Sequence, residues 1–149
     1  MENNIKKVDK CTGCFACGDA CPKSAIKYKV SKDGFMYPFI DKTKCINCGK
    51  CLTVCPSINK TVKKFKQKGF VCYSKDKKIY NNSASGGIFA EIARYVINNN
   101  GVVFGAAFIN LKLKHIKISS LNELEKIQRS KYIQSDLREI YLECRKELK

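Results

Sequence analysis

CTGCFACGDACP (residues 11–22) and CINCGKCLTVCP (residues 45–56) share one cysteine spacing and one terminal proline, and that repeat decides how the chain is read. Each copy reads C-x2-C-x2-C-x3-C-P, the bacterial iron–sulfur run. Cysteines so spaced in a compact loop can point three thiolates at three corners of one inorganic cube, while the intervening N–H groups face its sulfides. A short helix then carries the fourth thiolate away from its own loop, so each fourth cysteine serves the other cube. The expected ligand sets are Cys11, Cys14, Cys17 and Cys55 for one 4Fe-4S cluster, and Cys45, Cys48, Cys51 and Cys21 for the other. Pro22 and Pro56 fix φ and lack an N–H, as a forced change of direction after the ligand requires. Small residues at Gly13, Ala16, Gly18, Ala20 and Gly49 let the backbone approach the core. Zinc is the competing reading, because CxxC pairs also bind it, but two complete four-cysteine runs ending in proline do not match a finger or ribbon spacing.

Eight of the ten cysteines fall in the first 55 residues of a 149-residue chain. The opening MENNIKKVDK has no apolar stretch of the kind a signal peptide needs, so a cytoplasmic protein with reduced thiols is expected. The most apolar piece, GVVFGAAF, is strand-sized, and no membrane span is expected. The formal charge is +16. Eight thiolates at −1, offset by two oxidised cores at +2 each, bring it to about +12. Such a surface suits an acidic redox partner or a phosphorylated cofactor. Nucleic acid is not expected as a partner, since no groove-entering helix, stacking platform or RNA-binding signature accompanies the lysines.

The fold class expected is α+β: a bacterial-type di-cluster ferredoxin domain over residues 1–60, a basic linker over 61–69, and a partial α/β domain over 70–149. In the first, AIKYKV and FMYPFID flank a turn at Asp33 and Gly34, which predicts a hairpin. Its aromatics, Tyr28, Phe35, Tyr37 and Phe39, are expected to exclude water from the clusters. In the last, GFVCYSK reads as a strand, and Ile88, Phe89, Ile92, Ala93 and Val96 as one face of a helix ended by Gly101. GVVFGAAF reads as a second strand, parallel to the first through a crossover. Ser83 or Ser85 is expected to cap that helix. The SASGG turn would then offer N–H groups and a positive helix end to a phosphate. Ser120 and Glu123 form a capping-box pattern, and Ser135 is expected to cap a final helix whose apolar face is Leu137, Ile140, Tyr141, Cys144 and Leu148. Cys72, Cys144 and His115 read as structural.

The order of these pieces, a paired-cluster segment, then NSASGGIFAEIARYVINNNGVVFGAAF, then SKYIQSDLREIY, resembles the coenzyme F-420 hydrogenase/dehydrogenase beta-subunit family over nearly the whole chain. The resemblance implies FAD as a cofactor and coenzyme F-420 as a hydride-exchanging substrate. It places Ser83, Ser85, Gly86 and Gly87 in a flavin-region turn, and Ser130, Lys131, Tyr132 and Ser135 in the SKY-x-QS segment, with Lys131 offering charge to a phosphate or reduced flavin. Members of that family run to more than twice this length, so a truncated beta subunit is expected. Its partners would be the missing C-terminal portion, other oxidoreductase subunits or a redox protein. The function expected is an iron–sulfur electron-transfer module of a flavin-dependent oxidoreductase, with a stand-alone ferredoxin-like carrier as the alternative. No catalytic side chain is discernible.

Overall fold

The computed structural model describes residue 5, residues 10–59 and residues 66–149. The chain divides into two compact units, Met1–Lys64 with Leu137–Lys149, and Phe65–Asp136. Most of the expected basic linker lies outside the described residues.

In the cysteine-rich unit, each cysteine loop ends in a one-turn helix, α1 (Ala16–Asp19) and α2 (Lys50–Thr53). Between them, β1 (Ile26–Val30) and β2 (Met36–Ile40) form the antiparallel hairpin the sequence predicts, with Ile26 opposite Ile40 and Val30 opposite Met36. Gly34 supplies the left-handed turn residue at φ 80°. Strand alternation sets the two faces: Ile26, Tyr28, Pro38 and Ile40 turn inward, and Lys27, Lys29, Tyr37 and Phe39 outward. The expected aromatic cover therefore reduces to Tyr28, because Phe35 at the tip and Tyr37 and Phe39 on the outer face are exposed.

A helix from the C-terminal end, α6 (Ile140–Glu147), belongs to this same unit and packs on α1. Ser135 does not cap it. The Asp19 carboxylate does so from α1, accepting the Glu139 N–H at 2.9 Å and the Tyr141 N–H at 3.1 Å. Of the expected apolar face, Ile140 is buried, whereas Tyr141 and Leu148 are exposed.

The second unit holds α3 (Lys77–Asn81), α4 (Ile88–Asn98), β3 (Val103–Ile109), β4 (Lys112–Ile118) and α5 (Leu124–Ile127). The expected parallel strand–helix–strand unit is not what forms. β3 pairs antiparallel with β4, Ile109 opposite Lys112, across a two-residue turn in which Asn110 and Leu111 both have positive φ. That mirror-image turn matches strand twist and pairs immediate neighbours, so no crossover is needed. GFVCYSK remains outside any sheet, and Ser74 N–H instead bonds the Gly86 carbonyl at 2.6 Å.

Helix α4 is where the sequence places it, but its buried face is Ala90 and Ala93, with Ile97 packed beside them. Phe89 and Ile92 are exposed. Its C-terminus is a Schellman motif: Gly101 N–H bonds the Val96 carbonyl at 2.9 Å and Asn100 N–H the Ile97 carbonyl at 3.0 Å. Asn100 takes the left-handed conformation, φ 59°. Gly101 is required for a different reason, since a Cβ there would stand 2.6 Å from Val96 Cγ1. At the start, neither serine caps α4: Gly87 occupies the position at φ 83°, and the Ser83 hydroxyl donates back to the Ile79 carbonyl. The capping-box residues act in part, with the Glu123 carboxylate accepting from the Ser119 N–H and the Ser120 hydroxyl.

Candidate iron–sulfur site and a second cavity

The two cysteine loops share a backbone that the residue types alone conceal. Gly13 and Asn47 occupy equivalent places and are both left-handed, at φ 64° and 53°; so are Phe15 and Gly49, at 61° and 74°. Alternating left- and right-handed residues turns successive N–H groups inward, making a concavity suited to an anionic centre. Aligning the two copies would have found these positions; seeking glycine alone finds half of them.

Phe15 carries an unfavourable left-handed backbone and is nonetheless almost fully buried. Its ring meets Tyr28 edge-on at 4.5 Å between centroids, and its carbonyl accepts the Tyr28 hydroxyl at 3.3 Å. Gly18 makes room for that tyrosine: a Cβ there would lie 1.8 Å from Tyr28 Oη. Gly18 also sits beside the cysteines, its backbone N–H bonding the Cys17 sulfur.

The thiols themselves gather in two places. Cys21, from the first run, lines one cavity with Cys45, Cys48 and Cys51 of the second, and Ile26 and Ile40 of the hairpin form part of its wall. Cys17 lies among Cys14, Cys11 and Cys51, and burial together with those neighbouring sulfurs pushes its thiol up to about 12. Cys51 is raised by burial, with Cys45 and Cys48 adding to it. Cys55 is buried with Cys17 and Cys51. Thiols packed this way resist joint ionisation unless a cationic core is bound to them. Among the described residues, no three cysteine, histidine or carboxylate side chains converge on a point suited to one metal ion. A cube asks for something else, since each thiolate takes its own iron at a separate corner.

Residues 10–59 match the model of the 4Fe-4S dicluster domain, and a second 4Fe-4S dicluster model matches residues 37–92. Over 54 residues the chain is 39% identical to a protein of Porphyra purpurea from the rpl9–rpl11 intergenic region, covering 33% of this chain and 68% of that one. The chain carries a 4Fe-4S dicluster ferredoxin domain. It is also 35% identical over 54 residues to the ferredoxin-type protein NapF of Haemophilus influenzae, covering 36% of this chain and 31% of that one. With an uncharacterized ferredoxin of Methanocaldococcus jannaschii it shares 37% identity over 49 residues, covering 33% of this chain and 62% of that one. The chain thus spans under a third of NapF's length and 62% of that ferredoxin's. The second dicluster match runs on past Cys55 to residues whose one cysteine is Cys72, so a single four-cysteine run lies within it. Among the described residues no helix is long and apolar enough to cross a membrane.

A second cavity, of about 410 Å³, lies wholly within the other unit. It is walled by Ser83, Ser85, Gly86 and Gly87 at the opening of α4, by Gln128, Arg129 and Ser130 after α5, and by Cys72. Cys72 is exposed there instead of sitting in a strand. Gly86 is forced by its surroundings, since a Cβ would stand 2.6 Å from the Cys72 carbonyl oxygen. Arg129, which the sequence reading passed over, is left-handed at φ 67°, and its Nε donates to the Asn82 carbonyl at 3.0 Å. Lys131 does not line the cavity: its ammonium donates to the Gln128 carbonyl, and burial lowers its pKa. Tyr132 is exposed, and Ser135 turns to His115, Oγ to Nδ1 at 2.8 Å.

Proposed function

We propose that this chain is the iron–sulfur part of a flavin-dependent oxidoreductase, passing electrons between two 4Fe-4S clusters and an FAD that exchanges hydride with coenzyme F-420 or a similar soluble acceptor. Cys11, Cys14, Cys17 and Cys55 would hold one cluster, and Cys45, Cys48, Cys51 and Cys21 the other. The grouping of Cys21 with the second loop's three thiols supports the exchange of fourth ligands. The clusters supply one-electron steps and the flavin joins them to a two-electron hydride. The protein's share is placement. The left-handed loop residues would turn N–H groups toward a bound cluster, and the packed Phe15–Tyr28 pair would keep water from the first loop.

The observation that carries the flavin half is the cavity that gathers Ser83, Ser85, Gly86 and Gly87 with Ser130, two segments 43 residues apart in the sequence. Its size falls in the range of small-molecule sites. The opening turn of an 11-residue helix and the Arg129 guanidinium would meet a phosphate from two sides. Gly86 and Gly87 are poor probes of this, because side chains there would collide with neighbouring residues. Arg129→Ala is the better one. In anaerobically reconstituted full chain, FAD or FMN titrated by fluorescence quenching should bind, and Arg129→Ala should weaken binding about tenfold, the loss of one charge-assisted contact of about 1.4 kcal/mol. A loaded chain that retains no flavin refutes this half.

The second reading is a stand-alone ferredoxin-like carrier. It is favoured by the location of both cysteine runs, and of the family match over residues 10–59, inside one unit. A visible spectrum with a broad cluster shoulder and no flavin bands selects it.

A further inference from the structure

The outer face of the β1–β2 hairpin alternates lysine with aromatic residues. Lys27 stands opposite Phe39 and Lys29 opposite Tyr37, and all four are exposed. Lys29 Nζ lies 4.7 Å from the Phe39 ring centroid, so cation and ring form one surface. At the turn beside it, Lys32 and Phe35 are exposed as well. Residues 10–59 as a whole carry eight lysines against three aspartates, with no glutamate, and this excess of five outweighs the four negative charges of two oxidised clusters with their eight thiolates.

The inner face of the same two strands is the wall described above: Ile26 and Ile40 line the cavity that holds Cys21, Cys45, Cys48 and Cys51. A protein seated on the outer face is therefore one sheet layer, on the order of 10 Å, from the proposed second cluster. Flat rings offer desolvated contact area, while the lysines steer approach and keep the complex weak and salt-sensitive, as a transient electron-transfer encounter requires.

We infer that this face docks an acidic one-electron redox protein; the inference rests on the cluster assignment proposed above. The exchange is a single electron passing between a reduced partner and an oxidised cube, or the reverse. No bond is made and no proton moves. Charge complementarity selects an acidic partner, and the short path to the second set of thiols favours a redox protein over nucleic acid on the same basic face.

The test uses the full chain reconstituted anaerobically, with reduced flavodoxin as the acidic donor in stopped flow. The second-order rate should fall about tenfold as salt screens the surface, and K27E/K29E should lower it about tenfold at low salt. The pair K77E/K78E, in the other unit, makes the same change of net charge and should alter the rate less than about twofold. Reduced methyl viologen, the radical cation, which needs no docking face, should reduce K27E/K29E no more slowly than the parent chain. Equal losses in both pairs, or no loss in either, overturn the docking face while the clusters stand. Salt-sensitive retention of a single-stranded oligonucleotide that K27E/K29E abolishes, with the flavodoxin rate unchanged, overturns it in favour of nucleic acid. A chain that takes up no iron and sulfide overturns the cluster assignment and this inference with it.

Discussion

The two units solve the problem of a small core differently. Among the described residues of the cysteine-rich unit, the buried cluster at the clefts of the cysteine loops is Cys17, Cys51 and Cys55 with Ile5 and Ile26, so three of its five residues are thiols, and Phe15, Ala25 and Ile140 are buried elsewhere in the unit. In the other, Ala90, Ala93, Ala107, Ile118, Leu124 and Ile127 form a centre of hydrocarbon throughout. A thiol contributes little as a hydrophobe compared with what it contributes as a ligand, and binding free energy at a site absent from the unfolded chain is folding free energy. The first unit should therefore depend on its inorganic content, and the second should not.

Stripping iron breaks that comparison or sharpens it, and the effect should be the largest available. After anaerobic chelation, hydrogen exchange read by mass spectrometry should show α1, α2, β1 and β2 losing nearly all protection, while β3, β4 and α4 keep theirs. Equal loss in both units, or retained protection in the cysteine loops, would contradict the division of labour.

The parts legible in sequence follow the same line. The cysteine runs, the hairpin at Gly34 and the extent of α4 were readable because each rests on local spacing, turn chemistry or periodicity. The parallel sheet was misread because two apolar strands flanking a helix suggest a crossover, whereas the Asn110–Leu111 turn decides the pairing with a signal two residues long. The buried face of α4 was misjudged because small Ala90, beside Ala93, turns inward while the larger Phe89 is exposed. Asp19 capping a helix 120 residues away leaves no local trace at all. Of the flavin-turn candidates, Ser83, Ser85, Gly86, Gly87 and Ser130 line one cavity and Lys131 does not.

Glycine-to-alanine changes probe how each core yields. In the first unit, Gly18→Ala drives a Cβ into the far end of Tyr28 and should cost about 1–3 kcal/mol. Tyr28→Phe removes the colliding hydroxyl and should restore most of it. In the second unit, a Cβ on Gly105 would meet Ile127 Cβ at 2.8 Å, so no distal atom can swing aside. Gly105→Ala should cost a similar amount that no truncation of a side-chain tip rescues. Urea midpoints of the loaded double and single variants measure both; rescue in the second unit, or none in the first, reverses the argument.

A smaller effect isolates the long-range cap. Asp19→Ala removes the acceptor of two N–H groups at the start of α6 and should cost about 1 kcal/mol. Faster exchange of residues 140–147, with β1 and β2 unchanged, is the expected pattern; unchanged exchange would mean that packing on α1 alone holds the helix.

The smallest effect distinguishes the units by pH. His115, in β4, is half-buried beside the Ser135 hydroxyl, and burial lowers its pKa from the ordinary value near 6.5. Its neighbours include its cross-strand partner Ala106, Ser135, which is buried, and Asp136, whose carbonyl accepts the His115 backbone N–H at 3.0 Å. Because the folded state favours the neutral ring, the unfolded chain binds the proton more readily below the ordinary value. The contribution is therefore complete above about pH 7 and is lost as pH falls through 6.5 toward the depressed folded pKa. Exchange protection of β3 and β4 should decline over that window, and His115→Gln, which keeps a polar partner for Ser135 but cannot titrate, should flatten the decline. The two units then part company again, because residues 10–59 contain no histidine and have no such group to lose there.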